Sequence, residues 1–203
     1  MKQRWALVAM GAWLMGSVAM SVVATENFYT IDRLLAGSSS TAFNGVVRKL
    51  GQPEAREVLR YLSSELNRLY FQLWNVAQLA IGGLVLFLIA GLTEQDRTYE
   101  RGTQSAQSPQ SQDFSADFAV FAFKRPVRGV IVMLAIVIFM LVWLTPAIVS
   151  LGRSLDFVPR DPAPAGMRRF WILHATYTSL EMLKLIAGSV VTFWIAHARP
   201  SNG

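Results

Sequence analysis

Four apolar stretches, Trp5 to Thr25, Leu69 to Leu92, Gly129 to Leu151 and Phe170 to Ala196, dominate this chain of 203 residues. They run to 21, 24, 23 and 27 residues, and the first three contain no charged side chain. About 20 residues of helix cross a bilayer core, so each stretch is long enough to span one. Composition agrees, with 53% hydrophobic against 16% charged residues and a mean hydropathy of +0.36. That balance excludes an ordinary soluble enzyme and a disordered chain, and the lack of cysteine excludes a disulfide scaffold. The expected fold is an all-α integral membrane protein of one domain, an antiparallel four-helix transmembrane bundle.

The net charge of +6 follows from basic residues beside the apolar stretches: Lys124, Arg125 and Arg128 before the third, Arg168 and Arg169 before the fourth. Cations there meet anionic headgroups, so the bilayer is the expected partner and nucleic acid is not. With a cytoplasmic N-terminus, eight Lys and Arg fall inside and ten outside, so the loop count does not decide orientation. Lys2 and Arg4 before the first span favour cytoplasmic termini in a bacterial plasma membrane. A signal peptide cleaved after Ser21-Val22-Val23-Ala24 is the alternative reading of the first stretch.

Residues 26–68 form a polar connection and a helical extension. The Ser38 to Thr41 cluster can cap a short helix from Ala42 to Leu50, with Gly51 as its stop. Pro53-Glu54 marks a helix start, and Leu59, Leu62, Leu66, Leu69 and Leu73 carry one stripe into the second span. A single helix from Pro53 to about Leu92 is expected, extended at its N-terminus beyond the bilayer. Residues 102–112, rich in Gln and Ser, read as a flexible linker. In 113–124, Phe114, Phe118 and Phe121 make an aromatic face before Lys124 and Arg125, the pattern of an interfacial amphipathic helix that Pro126 ends, or of a docking helix. Thr145-Pro146 is the irregularity of the third span, and Pro159, Pro162, Pro164 and Gly166 mark the last connection as extended.

Polar residues inside the spans are the most informative ones, because each is costly in lipid unless paired or watered. In the fourth, His174, Thr178 and Glu181 share a face with Gly188, and Glu181 can pair with Lys184 three residues on. In the second, Arg68, Gln72, Asn75, Gln78 and Gly82 form a matching stripe. Facing each other, the two make a polar seam that either fixes packing or lines a small binding cavity or proton-accessible site. Small residues four apart, Ala12 with Gly16 and Ala175 with Ser179, permit close helix contact.

Reactive constellations are absent: no Cys, no His-Glu-x-x-His, no Gly-x-Ser-x-Gly and no phosphate-cradling Gly-rich loop. His174 and His197 lie 23 residues apart, about 35 Å along a helix, too far to ligate one haem. No metal, cofactor or catalytic residue is expected. Gly11-Ala12-Trp13, Trp143-Leu144-Thr145-Pro146 and Phe170-x-x-x-His174-Ala175-x-x-x-Ser179 together resemble the small four-span family typified by transmembrane protein 205. The family often has glycine where this chain has Ala175, and the linker at 102–112 is this chain's own. The resemblance implies a four-helix integral membrane protein and no particular chemistry. The expected function is a non-catalytic accessory or assembly component of a membrane complex, acting with other chains or as a homo-oligomer. The alternative is a small-molecule carrier or permeation pathway along the seam.

Overall fold

The computed structural model describes residues 1–104 and 113–197, with side chains described for all of these except 92–104 and 113–124. The described backbone is helical with no strand: α1 Lys2–Gly37, α2 Thr41–Leu50, α3 Gln52–Gln104, α4 Asp113–Phe139, a π turn at Met140–Leu144, α5 Thr145–Ser154 and α6 Met167–His197. Four stretches are long and apolar enough to cross a membrane: those in α1, α3 and α6, and the run from α4 through α5.

Three elements outrun the sequence expectation. α1 continues eleven residues past Glu26, because Ile31 is buried and the Arg33 guanidinium bonds Glu26 at 2.7 Å and Thr30 at 2.8 Å. α3 continues past Leu92 to Gln104, through a stretch with no proline and with Glu94, Arg97 and Glu100 at helical three-residue spacing. Residues 102–104 of the expected linker are thus helical, and its remainder lies outside the described residues. α4 does not stop at Pro126 but runs through it, so residues 113–124 form no separate helix. A proline costs one backbone bond and a steric adjustment, which a long apolar helix absorbs. The aromatic face expected at Phe114, Phe118 and Phe121 falls outside the described side chains.

α2 has the expected caps. Ser40 Oγ accepts from the Phe43 N–H at 3.3 Å, and Gly51 ends the helix at φ +89°, where a Cβ would be strained. The π turn stands immediately before Pro146. There the Thr145 N–H reaches back to the Met140 carbonyl, so one widened turn carries the helix across the register change at the proline.

The chain groups into two compact units: residues 1–16, 77–138 and 180–203 in one, and residues 17–76 and 139–179 in the other. The core of the first consists of Met10, Trp13, Val85, Ile89, Val130, Met133 and Val191. Glycines permit its closest contacts. A Cβ on Gly82 would meet Trp13 at 2.8 Å and collide with Leu134; one on Gly188 would meet Leu14 at 2.6 Å and Met133 at 3.0 Å; one on Gly129 would collide with Val191. The small pairs singled out in the sequence do not serve this purpose, since Ala12, Ala175 and Ser179 are all exposed. The leucine stripe of α3 is not its buried face. Leu62, Leu69 and Leu73 point outward, while Ser63, Asn67, Asn75 and Gln78 are buried.

Gly82 and its neighbour make a paired test, because an added Cβ at Gly83 meets nothing within 4 Å. Gly82→Ala is expected to destabilise the protein by about 1–3 kcal/mol through overpacking. Gly83→Ala should be neutral or slightly stabilising, since alanine is the better helix former. Thermal unfolding of the two variants in the same detergent checks the contrast.

Candidate functional site

In the first unit, α3 and α6 bring together three of the residues singled out in the sequence. Lys184, 1% exposed, donates from Nζ to Glu181 Oε1 at 2.8 Å and to Gln78 Oε1. The same amide oxygen accepts from Trp13 Nε1 at 2.9 Å, so Gln78 joins side chains of α1 and α6. Glu181 Oε2 is buried without a hydrogen-bond partner among the described residues. A buried ammonium is expensive by itself, and a carboxylate one helical turn away offsets that cost.

In the second unit the remaining residues part company. Asn75 is fully buried and donates from Nδ2 to Thr145 Oγ1 at 3.1 Å, giving the threonine before Pro146 a partner on α3. His174 is exposed and packs its ring near-parallel to Phe170, with centroids 6.1 Å apart. Thr178 is exposed and returns its hydroxyl to the His174 carbonyl of its own helix at 3.1 Å. Gln72 is exposed and takes no part in a seam.

The misplaced pair has one cause. The inward stripe of α6 runs Tyr177, Glu181, Lys184, Gly188, Val191, and that of α3 runs Asn67, half-buried Phe71, Asn75, Gln78, Gly82, Val85. Choosing Thr178 and Gln72 takes the polar neighbour in place of the aromatic one. The aromatic residues Phe71 and Tyr177 hold the inward positions and meet edge-to-face at 5.2 Å. Continuing the alternation of four and three backwards from Gln78 and Lys184 would have found both.

Sequence reasoning missed a second cluster, at the polar end of α3. Arg68 Nη2 donates to both carboxylate oxygens of Asp156, at 3.0 and 3.2 Å, and Nη1 donates to Glu65. Arg153 donates to Glu65 from Nε and Nη2, each at 3.3 Å. Gly152 admits the guanidinium: a Cβ there would stand 3.1 Å from Arg68 Nη2 and 3.4 Å from Phe170. Nearby, Asn67 donates to the Ala24 carbonyl at 3.1 Å and accepts from Asn27 at 2.6 Å, tying α3 to α1. Arg68 was on the sequence stripe and Glu65 stands one helical turn before it, but Asp156 lies 88 residues away, and no local pattern announces it.

Beside this cluster lies a cavity of about 130 Å³ whose lining includes Arg68, Phe71, Val149, Asp156, Phe170 and His174. No group of three or more His, Cys, Asp or Glu suited to a metal ion exists among the described residues. No family model, curated protein or solved structure matches the chain.

The Gln78 junction generates a ranking. Gln78→Leu strands two buried donors at once and should cost more than Trp13→Phe, which removes one bond worth about 1 kcal/mol. Glu181→Leu, which leaves the buried ammonium with Gln78 alone, should cost about 3 kcal/mol, and the double variant with Lys184→Met should recover most of it. Unfolding free energies of the single and double variants, measured by a denaturant series in detergent, give the coupling.

Proposed function

We propose that the chain is a multi-pass integral membrane protein with four antiparallel spans, acting without catalysis of its own as an accessory or assembly component of a larger membrane complex. The observation that carries this reading is the length of the exposed apolar face on α3. Large apolar side chains stand exposed from Val58 through Leu62, Leu69, Leu73, Val76 and Leu84 to Phe87. At 1.5 Å per residue that face is about 44 Å long, against a hydrocarbon core of about 30 Å. The face outruns the hydrocarbon core, and the surplus apolar surface is available to another protein. α2 adds to the surplus: it buries no residue and leaves Val46 and Leu50 exposed.

The polar side chains that a carrier would need weigh the other way. Lys184 is spent on Glu181 and Gln78, Asn75 on Thr145 and Arg68 on two carboxylates. Bonds within the chain favour packing over a pathway. On the same footing we place the protein beside the family typified by transmembrane protein 205, in a bacterial plasma membrane with both termini cytoplasmic. That placement accounts for four spans and asks for no chemistry.

Two measurements test the proposal. Topology reporters inserted at 38, 108 and 162 should read outside, inside and outside in turn; agreement of the last two would end the four-span reading. A photo-crosslinking residue at Leu62 should capture a discrete protein in native membranes, whereas the same residue at Phe87 should capture lipid. Lipid adducts alone at both sites would refute the accessory role.

A further inference from the structure

The cavity of the second unit has walls and a charge balance that specify a ligand. Its volume of about 130 Å³ is close to that of a cavity that accepts benzene, so it suits one ring or a chain of about five or six carbons. Phe71, Ile148, Val149 and Phe170 furnish an apolar bed for such a body. The residues that follow the π turn and Pro146, Ile148, Val149 and Gly152, form one wall. Turns of this type recur at functional sites.

The charges on the lining do not cancel. Arg68 is matched by Asp156 on the lining and by Glu65 behind it. Arg160 also lines the cavity, is exposed, and forms no ion pair among the described residues. Asp156 is the lining's single carboxylate against two guanidinium groups, and the His174 imidazole adds a further polar group at the edge. The surplus is cationic, and an exposed guanidinium is suited to a carboxylate.

We propose that this cavity binds a small amphiphilic carboxylate, its apolar body of about one ring or six carbons seated between Phe71, Val149 and Phe170 and its anionic head on Arg160. The test is independent of the partner role argued above, since the residues it varies, Arg160 and Val149, lie outside α3 and it needs no partner.

The full chain in nanodiscs of zwitterionic lipid is titrated with hexanoate, hexanol and hexylamine, and binding is read by ligand-observed saturation-transfer NMR against empty nanodiscs. Hexanoate should bind at least tenfold more tightly than hexanol, and hexylamine should show no signal above the empty disc. Arg160→Gln should weaken hexanoate at least fivefold and leave hexanol unchanged; as an exposed loop residue it tests the charge without disturbing the fold. Val149→Phe, which fills the cavity, should abolish both signals. Hexylamine binding as well as hexanoate, or hexanoate unaffected by Arg160→Gln, would overturn the assignment. So would undiminished binding to Val149→Phe, which would mean that the probe partitions into lipid alone.

Discussion

A single amide oxygen holds together the polar core of the first unit. Gln78 Oε1 accepts from Trp13 on α1 and from Lys184 on α6, so one side chain of α3 joins three helices. Two of the close glycine contacts in that unit lie along the same two stripes, Gly82 one turn beyond Gln78 and Gly188 one turn beyond Lys184. Backbones brought that near leave no room for a flexible or misplaced charge. The bond geometry at Gln78 and the glycine contacts therefore support each other: the first fixes which faces meet, and the second lets them approach.

The second unit solves a different problem, that of a helix interrupted by proline. Pro146 has no N–H to give, and the π turn ahead of it redistributes the backbone bonds over five residues. Thr145 then has its hydroxyl oxygen available to Asn75, so the interruption becomes an anchor between α5 and α3. Two turns further, Gly152 yields its side-chain volume to the Arg68 guanidinium. The proline, the widened turn, the threonine and the glycine form one local arrangement rather than four separate irregularities.

Much of this was legible. Four long apolar stretches, the Ser40 and Gly51 caps and the Glu181–Lys184 pairing all follow from composition or short spacing, because each depends on residues within one helix turn or one run. What was not legible depends on phase or on distance. Polar residues marked the inward face of α3 and α6 correctly at Asn75, Gln78, Glu181 and Lys184, but at Gln72 and Thr178 a preference for polarity overrode the three-and-four alternation. In an apolar setting the alternation is the better guide, since an amide or hydroxyl can face outward and bond its own helix, as Thr178 does. Helix ends failed for a related reason. The run of α1 to Gly37 rests on burial of Ile31 and on bonds such as Asn27 to Asn67, which tie it to residues some forty positions away.

The two units also differ in what their charges have left to do. In the first, an ammonium, a carboxylate and an amide meet inside an apolar core, and any ligand entering would have to break a buried pair before forming a new one. Such pairs cost more to break than they contribute when made, which suits a permanent role in fixing helix register. In the second, two carboxylates and three guanidinium groups gather at the polar end of α3, Arg153 and Arg160 are exposed, and a space with apolar walls lies beside them. A charge near water can exchange partners at small cost, and an apolar pocket beside it can hold the part of a ligand that water rejects. Exposed charge beside open apolar space is therefore a feature of the second unit, and a closed polar junction a feature of the first.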